Sequence, residues 1–274
     1  MSNHVQLLNN FEKLGLLRMR EYFPNYQEVV NREAIPFTEA LLELTNRELA
    51  FRSDRKVERA VENARFPVIR ALKDFDFYFQ PSINRHEILD LQHMGFLEKA
   101  ENIIFIGNSG VGKTHLATAL GVEACHQGVK AIFINCHELI QKLQSAYEKG
   151  TLERVLKRYS NYELLIIDEI GYLPIAKQEA SLLFQLIRLR HEVHSTILTT
   201  NIPFSKWGDV FQDSAVTAAI LDRLIHHSRV FQITGNSYRM KDYKLEREQR
   251  SKKKHRTTLI YLPVKKDSTL LFFG

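Results

Sequence analysis

Short apolar runs alternate with amphipathic segments over much of the chain, beginning at residue 102. The runs are NIIFIG (102–107), KAIFIN (130–135), ELLIIDE (163–169), STILTTN (195–201) and RVFQIT (229–234). Each is short enough to be a buried strand, and the segments between them have helical periodicity. Continuous apolar strands that alternate with helices predict an α/β fold, in which helices cover both faces of a parallel sheet.

The region before residue 79 reads as helices, because it has no glycine after Gly15. We expect a helix around residues 16–30 to break at Pro24, and a longer helix to run from Thr38 to Pro67. Alternating aromatic residues and a proline between Phe75 and Leu91 indicate an extended linker followed by a new helix. The pattern predicts a small all-α N-terminal domain (1–78), an α/β domain (79–240) and a basic C-terminal tail (241–274).

Composition narrows the partners and the compartment. The chain has 274 residues, of which 44% are hydrophobic and 26% charged, as in a globular protein with a large core. Its net charge of +6 favours polyanionic partners. The two cysteines, Cys125 and Cys136, lie in apolar segments without metal-site spacing, which favours buried thiols in a reduced compartment. No apolar run approaches the ~18 residues that span a bilayer, so we expect a cytoplasmic protein without a membrane partner.

The strongest chemical signal is GNSGVGKT, which matches G-x-x-x-x-G-K-[ST] between a predicted strand and a predicted helix. Glycines let consecutive backbone N–H groups point into one concavity, and the helix N-terminus favours an anion there. Lys113 would reach the β- and γ-phosphates of a nucleotide, and Thr114 would place its hydroxyl on Mg²⁺. The candidate nucleotide-binding residues are Gly107, Asn108, Ser109, Gly110, Val111, Gly112, Lys113, Thr114 and His115.

A second signal stands at the end of the third predicted strand. Asp168 suits the carboxylate that holds Mg²⁺, and Glu169 can polarise an attacking water as a general base. Nucleotide kinases do not need this glutamate, and the N-K-x-D motif that reads guanine is absent, so ATP hydrolysis is favoured. The alternative is that Glu169 only caps the strand. Asn201, after the fourth strand, is either a turn residue or a group that orients water near the γ-phosphate.

Five segments resemble signature segments of the IstB-like AAA+ ATPases, the helper subunits encoded beside a transposase in one class of bacterial insertion sequence. They are GNSGVGKTHLA (107–117), LLIIDEIGYLP (164–174), STILTTN (195–201), LDRLIHHS (221–228) and GNSYR (235–239). The helicase loader DnaC is similar but more distant. The resemblance covers roughly Phe75 to Arg239 and implies a P-loop NTPase fold of AAA+ type.

The resemblance also implies an assembly, either a ring or a helical filament. In such assemblies an arginine of the neighbouring subunit completes each ATP site, and Arg223 is the candidate. Arg239 is the candidate for a contact to the nucleotide of its own subunit. The alternatives are a surface Arg223 that pairs with Asp222, and an Arg239 that only starts the basic tail. The chain departs from many AAA+ proteins because no multi-helix lid is evident after Arg239.

Two basic regions flank the α/β domain, at residues 52–73 and 239–256. Clustered lysines and arginines can neutralise DNA phosphates without reading the base sequence. The alternative for each region is a solvated helix face or a disordered tail. The resemblance favours binding of duplex DNA. The candidate DNA-binding residues are Arg52, Arg55, Lys56 and Arg59. Residues 257–274 depart from what we expect of the family.

The leading hypothesis is an ATP-dependent transposition helper that oligomerises on target duplex DNA and recruits or regulates a transposase. A DnaC-like helicase loader is the first alternative, and preference for single-stranded DNA would distinguish it. A small-molecule kinase is the second, and it predicts a phosphoryl acceptor and no stimulation by DNA. Zinc is not favoured, because HELIQ at 137–141 lacks the second histidine and His226–His227 shows no second ligand pair.

Overall fold

The computed structural model describes residues 2–241, together with residues 243 and 247. The predictions for most of the basic tail and for the apolar stretch 257–274 therefore lie outside the described residues. None of the helices within the described part combines the length and the apolar character that crossing a bilayer requires.

Three helices form the N-terminal region: α1 (Asn3–Lys13), α2 (Leu17–Glu33) and α3 (Phe37–Ala64). They share a small core made of Phe11, Met19, Tyr26, Ala40 and Leu44. Glu48 of α3 is buried beneath this core and accepts hydrogen bonds from the backbone N–H groups of Arg18 (2.9 Å) and Met19 (3.2 Å). It thereby caps the N-terminus of α2, which has no capping side chain of its own.

The predicted break at Pro24 is wrong, because α2 continues through the proline. A proline in a helix interior removes one backbone hydrogen bond and costs about 3 kcal/mol. Residues on both sides of it, Met19 and Tyr26, are buried in the N-terminal core. Burying two such side chains contributes a comparable free energy, so packing outweighs the local preference.

The long helix α3 is close to its prediction, and it ends at Ala64 because Arg65 adopts a left-handed conformation with φ of 61°. Two short helices follow, α4 (Arg85–Asp90) and α5 (Gly95–Glu98). The predicted extended linker at Phe75–Leu91 is wrong in its first part, since the chain there forms compact turns and Phe75 is buried.

Five parallel strands form one sheet: β1 (Asn102–Gly107), β2 (Ala131–Asn135), β3 (Leu164–Ile170), β4 (Ser195–Thr200) and β5 (Ser228–Ile233). Their order is β2-β3-β4-β1-β5, so β1 lies between β4 and β5 although it is first in the chain. The prediction of a parallel sheet is confirmed.

The connecting helices are α6 (Lys113–His126), α7 (Cys136–Glu148), α8 (Leu152–Ser160), α9 (Lys177–Arg190), α10 (Trp207–Phe211) and α11 (Ser214–Ile225). Alternate strand residues face opposite layers, as Phe105 and Ile104 illustrate. One layer contains α6, the end of α3 and the turns after it. The other contains α7 to α11. Helices therefore cover both faces, as predicted.

Candidate nucleotide-binding site

The phosphate loop, residues 107–112, joins β1 to α6. Gly110 and Gly112 have φ values of 80° and 102°, in the region that favours glycine. A side chain at Gly112 would also collide with Phe75, because its Cβ would lie 2.6 Å from the ring. Val111 is buried and anchors the loop to the core. The loop leads directly into the N-terminus of α6, where backbone N–H groups attract an anion.

Lys113, the first residue of α6, is folded against the phosphate loop. Its Nζ donates hydrogen bonds to the carbonyl oxygens of Gly107 (2.7 Å) and Asn108 (2.8 Å). Burial lowers the pKa of this lysine, and the neighbouring Asp168 and Glu169 oppose the shift. The predicted phosphate-binding cation is thus held in place by the loop itself.

Asp168 and Thr114, the two predicted Mg²⁺ ligands, are in direct contact. The Thr114 hydroxyl lies 3.0 and 3.1 Å from the two carboxylate oxygens of Asp168. Thr199 of β4 donates a second hydrogen bond, 2.5 Å long, to the same carboxylate. Burial raises the pKa of Asp168, and the hydrogen bonds from Thr199 and Thr114 oppose this rise. Two oxygen-bearing side chains side by side, one of them a carboxylate, suit a hard cation such as Mg²⁺.

Glu169 lies at an irregularity of β3, next to the buried Asp168. The register between β3 and β4 shifts between Ile167 and Ile170, and Glu169 has a φ of 62°. This irregularity turns its side chain into solvent, where Asn135 at the end of β2 donates a hydrogen bond of 3.0 Å to its carboxylate. The same Asn135 caps α7 with its side-chain oxygen. The candidate base is therefore restrained by a neighbouring strand.

Many of the predicted site residues line one cleft of about 800 Å³, and Asp168 contacts it through Thr114. Asn201, which follows β4, is exposed on its wall. The cleft is lined by Pro67, Val68, Arg70, Asp74, Asp76, Ser109, Gly110, Gly112, Lys113, Thr114, His115, Thr118, Glu169, Tyr172, Asn201, Tyr238 and Arg239. Its volume is typical of small-molecule sites.

The segment after α3, residues 67–76, forms one wall of the cleft. His115 donates a hydrogen bond of 3.1 Å from Nε2 to the carbonyl oxygen of Ala71 and meets Phe75 edge-on, so its ring faces this segment. Val68 and Ile69 are more than half exposed although both are apolar. An apolar surface beside a phosphate loop suits the base of a nucleotide.

Residues 235–239 are attached to both the phosphate loop and the segment after α3. Tyr238 donates its backbone N–H to Gly110 (2.9 Å) and its hydroxyl to the carbonyl of Asp76 (2.7 Å). Gln80 donates a hydrogen bond of 2.6 Å to the carbonyl of Asn236. Arg239 therefore stands at the mouth of the cleft, where its charge contributes to lowering the pKa of Lys113 after the larger effect of burial.

Arg223 lies near the end of the sheet where the strands begin. It belongs to the last turn of α11, and the carbonyl of the next residue, Leu224, accepts a hydrogen bond of 3.2 Å from the side chain of Asn102. Asn102 begins β1, whereas the phosphate loop follows the end of this six-residue strand, about 17 Å away. Arg223 makes no ion pair with any carboxylate of residues 2–241, including Asp222, and its guanidinium lies 4.9 Å from the ring of Phe184. The side chain is therefore placed away from the phosphate loop of its own chain.

The candidate DNA-binding residues lie together on the exposed side of α3. Arg52 differs from the others, because it donates hydrogen bonds to Glu48 (2.8 Å) and to the carbonyl of Gly15 (3.1 Å). Its charge therefore already serves the packing of α3 on the N-terminal core. Arg55, Lys56 and Arg59 have no ion pair among the described residues.

Sequence reasoning missed Asn135 and Thr199, which contact Glu169 and Asp168. Both stand at the carboxyl ends of strands that flank β3, where parallel strands bring side chains together. An asparagine that ends one strand and a threonine two residues before Asn201 were available signals. The contact of Tyr238 with the phosphate loop had none, because the partners are distant in the chain.

The chain is similar to ATP-binding proteins of bacterial insertion sequences. The model of the family described as IstB-like ATP-binding protein matches residues 9–246. The ATP-binding protein of insertion sequence IS232 from Bacillus thuringiensis subsp. berliner is 47% identical over 242 residues, which are 88% of this chain and 97% of that protein. That of insertion sequence IS21 from Pseudomonas aeruginosa is 43% identical over 230 residues, 84% of this chain and 87% of that protein.

One solved structure shows the same fold, and a second aligns less closely. The crystal structure of DnaI aligns with a TM-score of 0.52 and 20% identity, and the match covers 63% of this chain and 93% of that one. The DnaC helicase loader aligns with a TM-score of 0.48 and 25% identity, over 56% of this chain and 90% of that one. The predicted α/β P-loop fold of AAA+ type, preceded by a helical region, is confirmed.

Proposed function

This chain belongs to the family of IstB-like ATP-binding proteins, and on that premise we propose that it is an ATP-hydrolysing helper of a transposase that assembles on target duplex DNA. ATP is the nucleotide of this family. Hydrolysis, Mg²⁺, DNA, the transposase and the assembly are the parts that we propose. The relatives belong to insertion sequences, which move by transposition, and this supports a transposase as the partner.

The observation that carries the proposal is the convergence of Lys113, the Thr114–Asp168 pair and Glu169 on one cleft. Lys113 and the start of α6 would bind the phosphates. Thr114 and Asp168 would hold Mg²⁺, which neutralises charge on the phosphates when it is bound. The apolar Val68 and its neighbours would take the adenine.

Glu169 is the proposed general base. Its carboxylate is exposed at the cleft and would accept a proton from a water placed in line with the γ-phosphate, with Asn201 as a second polar group beside that water. A carboxylate oxygen that accepts a hydrogen bond from Asn135 is held away from the attacking water. We therefore infer that Glu169 must leave Asn135 for full activity, which gives the site a low resting rate.

Arg223 is the proposed residue that a neighbouring subunit contributes. It carries no ion pair among the described residues and lies at the end of the sheet where the strands begin, opposite its own phosphate loop. In a head-to-tail assembly this end of one subunit would meet the cleft of the next. The arginine would then stabilise the charge that develops on the γ-phosphate, so hydrolysis would depend on assembly. Arg239 is the proposed contact within the same subunit.

Duplex DNA is proposed to bind through phosphates on the exposed side of α3, at Arg55, Lys56 and Arg59. Arg52 is removed from the centre of this surface because of its contacts with Glu48. Each arginine or lysine that neutralises a phosphate releases counterions, so affinity should fall steeply with salt. A helix face that is merely solvated would give no such dependence.

The test is the ATPase rate and the particle size of the purified chain, each with no DNA, with duplex DNA and with single-stranded DNA. Duplex DNA should raise both, and Glu169→Gln should abolish the rate while the large particle persists with ATP. Glu28→Gln, an exposed residue on α2, serves as the matched control. Stimulation by single-stranded DNA alone would favour the helicase-loader alternative, and an unchanged monomer with a DNA-independent rate would contradict the proposal.

A further inference from the structure

Three side chains that can bind a metal meet at the sheet edge away from the phosphate loop. His191 and Glu192 lie in the turn between α9 and β4, and His226 follows α11. Their ligand atoms all lie within 4.8 Å of one another. The Nδ1 atoms of the two histidines are each 3.9 Å from a different oxygen of the Glu192 carboxylate. The sequence shows no second ligand pair beside His226 and His227, whereas the fold brings His191 and Glu192 next to His226.

The turn that carries His191 and Glu192 is held by ordered contacts. Arg190 is buried without a carboxylate partner in residues 2–241, and it donates to the carbonyls of Tyr159 (2.9 Å) and Ser195 (2.5 Å). It thereby ties the residue before the turn to the end of α8 and to the start of β4. Glu192 has a left-handed φ of 60°, which directs its side chain toward the end of α11.

The segment that carries His226 is also held in place by backbone hydrogen bonds. The backbone N–H of His226 donates to Asp222 (3.0 Å), and the carbonyl of His227 accepts from the first residue of β1 (2.7 Å). His226 is thus fixed between a helix and a strand. Two ligands on one turn and one on another element form a site that only the folded chain assembles.

The donor set identifies the class of cation. Two imidazole nitrogens and one carboxylate suit Zn²⁺ and related transition metals, whereas Mg²⁺ prefers oxygen ligands. Tetrahedral Zn²⁺ has ligand distances of ~2.1 Å, so its ligands stand about 3.4 Å apart. The two histidine–glutamate separations of 3.9 Å would have to shrink by about half an ångström, and the widest separation, which is at most 4.8 Å, by up to about 1.4 Å. Rotation of these partly exposed side chains can supply such movements.

We propose that His191, Glu192 and His226 bind one divalent cation of the zinc class and that the cation clamps the α9–β4 turn to the end of α11. A fourth position stays open for water or for a group from another molecule. On the proposed function, the same clamp restrains the helix end that carries Arg223.

The test titrates the purified full chain with Zn²⁺ by calorimetry, without nucleotide or DNA, so that its outcome does not depend on the ATPase. The wild type should bind one equivalent, and a saturating excess should raise the melting temperature by about 5 °C. His191→Ala, Glu192→Gln and His226→Ala should each weaken binding by more than about tenfold. His227→Ala is the matched control, because it removes a neighbouring histidine outside the cluster and should bind like the wild type.

Co²⁺ supplies a second readout that does not depend on stability. Bound in a low-coordination nitrogen and oxygen site, it should give a visible absorption band that appears with the wild type and His227→Ala and is lost with His226→Ala. Circular dichroism of each variant verifies that it is folded. The proposal is overturned if the wild type binds no stoichiometric Zn²⁺, or if the three ligand variants bind it as tightly as His227→Ala does.

Discussion

Replacing Lys113 by alanine should separate the stability of the fold from its response to ATP. The ammonium of Lys113 makes two hydrogen bonds to loop carbonyls, at 2.7 and 2.8 Å. It also bears a desolvation cost, since burial lowers its pKa. These two contributions oppose each other, so the free energy of unfolding without ATP should change by only about 1 kcal/mol.

ATP affinity should change far more. A charge pair at ~4 Å is worth about 4 kcal/mol at the effective dielectric of a partly buried site. If about 3 kcal/mol of this is retained after desolvation, affinity falls ~100-fold. At an ATP concentration of 100 times the wild-type Kd, the wild type gains about 2.7 kcal/mol and the variant only about 0.4 kcal/mol. For a domain of this size that corresponds to shifts in Tm of about 5–10 °C and about 1–2 °C.

The assay is thermal unfolding of Lys113→Ala with and without Mg²⁺ and ATP, read by fluorescence. Lys149→Ala, at the exposed end of α7, is the matched control and should respond to ATP like the wild type. An ATP-dependent shift in Lys113→Ala as large as that of the wild type would refute the assignment of this lysine to the phosphates.

Three further expectations concern the restraint on the base, the thiols and the N-terminal helices. Asn135→Ser should keep a cap on α7 but remove the hydrogen bond to Glu169. Because an exposed hydrogen bond to a charged group is worth roughly 1 kcal/mol, the ATPase rate without DNA should rise about fivefold. A phosphate-release assay that finds no rise would contradict the restraint of Glu169 by Asn135. Burial raises the pKa of Cys136 to about 12 and that of Cys125 to about 11, so neither should react with a thiol reagent at pH 8 until the protein unfolds. Because the unfolded thiols ionise first, their contribution to stability should be lost as pH rises above about 8.5, and a fast-reacting native thiol would argue against their burial. Glu48→Ala should destabilise α1–α3 by about 2–4 kcal/mol in a urea titration, because buried N–H groups at the start of α2 lose their acceptor. Burial raises the pKa of Glu48, but the hydrogen bonds that it accepts outweigh burial and lower the pKa overall. The contribution of Glu48 to the free energy of unfolding should therefore be fully present above about pH 4.3 and be lost at lower pH. If the wild type and Glu48→Ala lost stability in acid in the same way, this expectation would be contradicted.

The sheet was predictable from sequence because its strands are buried on both faces and read as unbroken apolar runs. Ile104 and Phe105 face different helical layers, and each needs an apolar side chain. Pro24 shows the opposite case, in which a strong local signal is outweighed by packing that the sequence does not display. Phe75 shows a third, because its aromatic neighbours suggested an extended strand-like linker, whereas the ring packs onto the phosphate loop.

The site was predictable as far as its motif reaches. Lys113, Thr114, Asp168 and Glu169 follow from residue types at fixed places after strands. In the structure Lys113, Thr114 and Glu169 line one cleft, and Asp168 contacts Thr114. The restraint of Glu169 by Asn135 depends instead on the β3 bulge and the pairing of β2 with β3, which only three-dimensional register defines. Contacts between groups far apart in the chain carry no local signature.

The sharing of each ATP site between two chains is tested most directly by mixing two inactive variants. Arg223→Ala keeps its own base, and Glu169→Gln keeps its own arginine. In an equimolar mixture on duplex DNA, about a quarter of the interfaces would join an intact Glu169 to an intact Arg223, so about a quarter of the wild-type ATPase rate should return. Arg223→Ala mixed with the double variant Glu169→Gln/Arg223→Ala can form no such interface and is the control. A mixture that hydrolyses ATP no faster than this control would contradict the shared site.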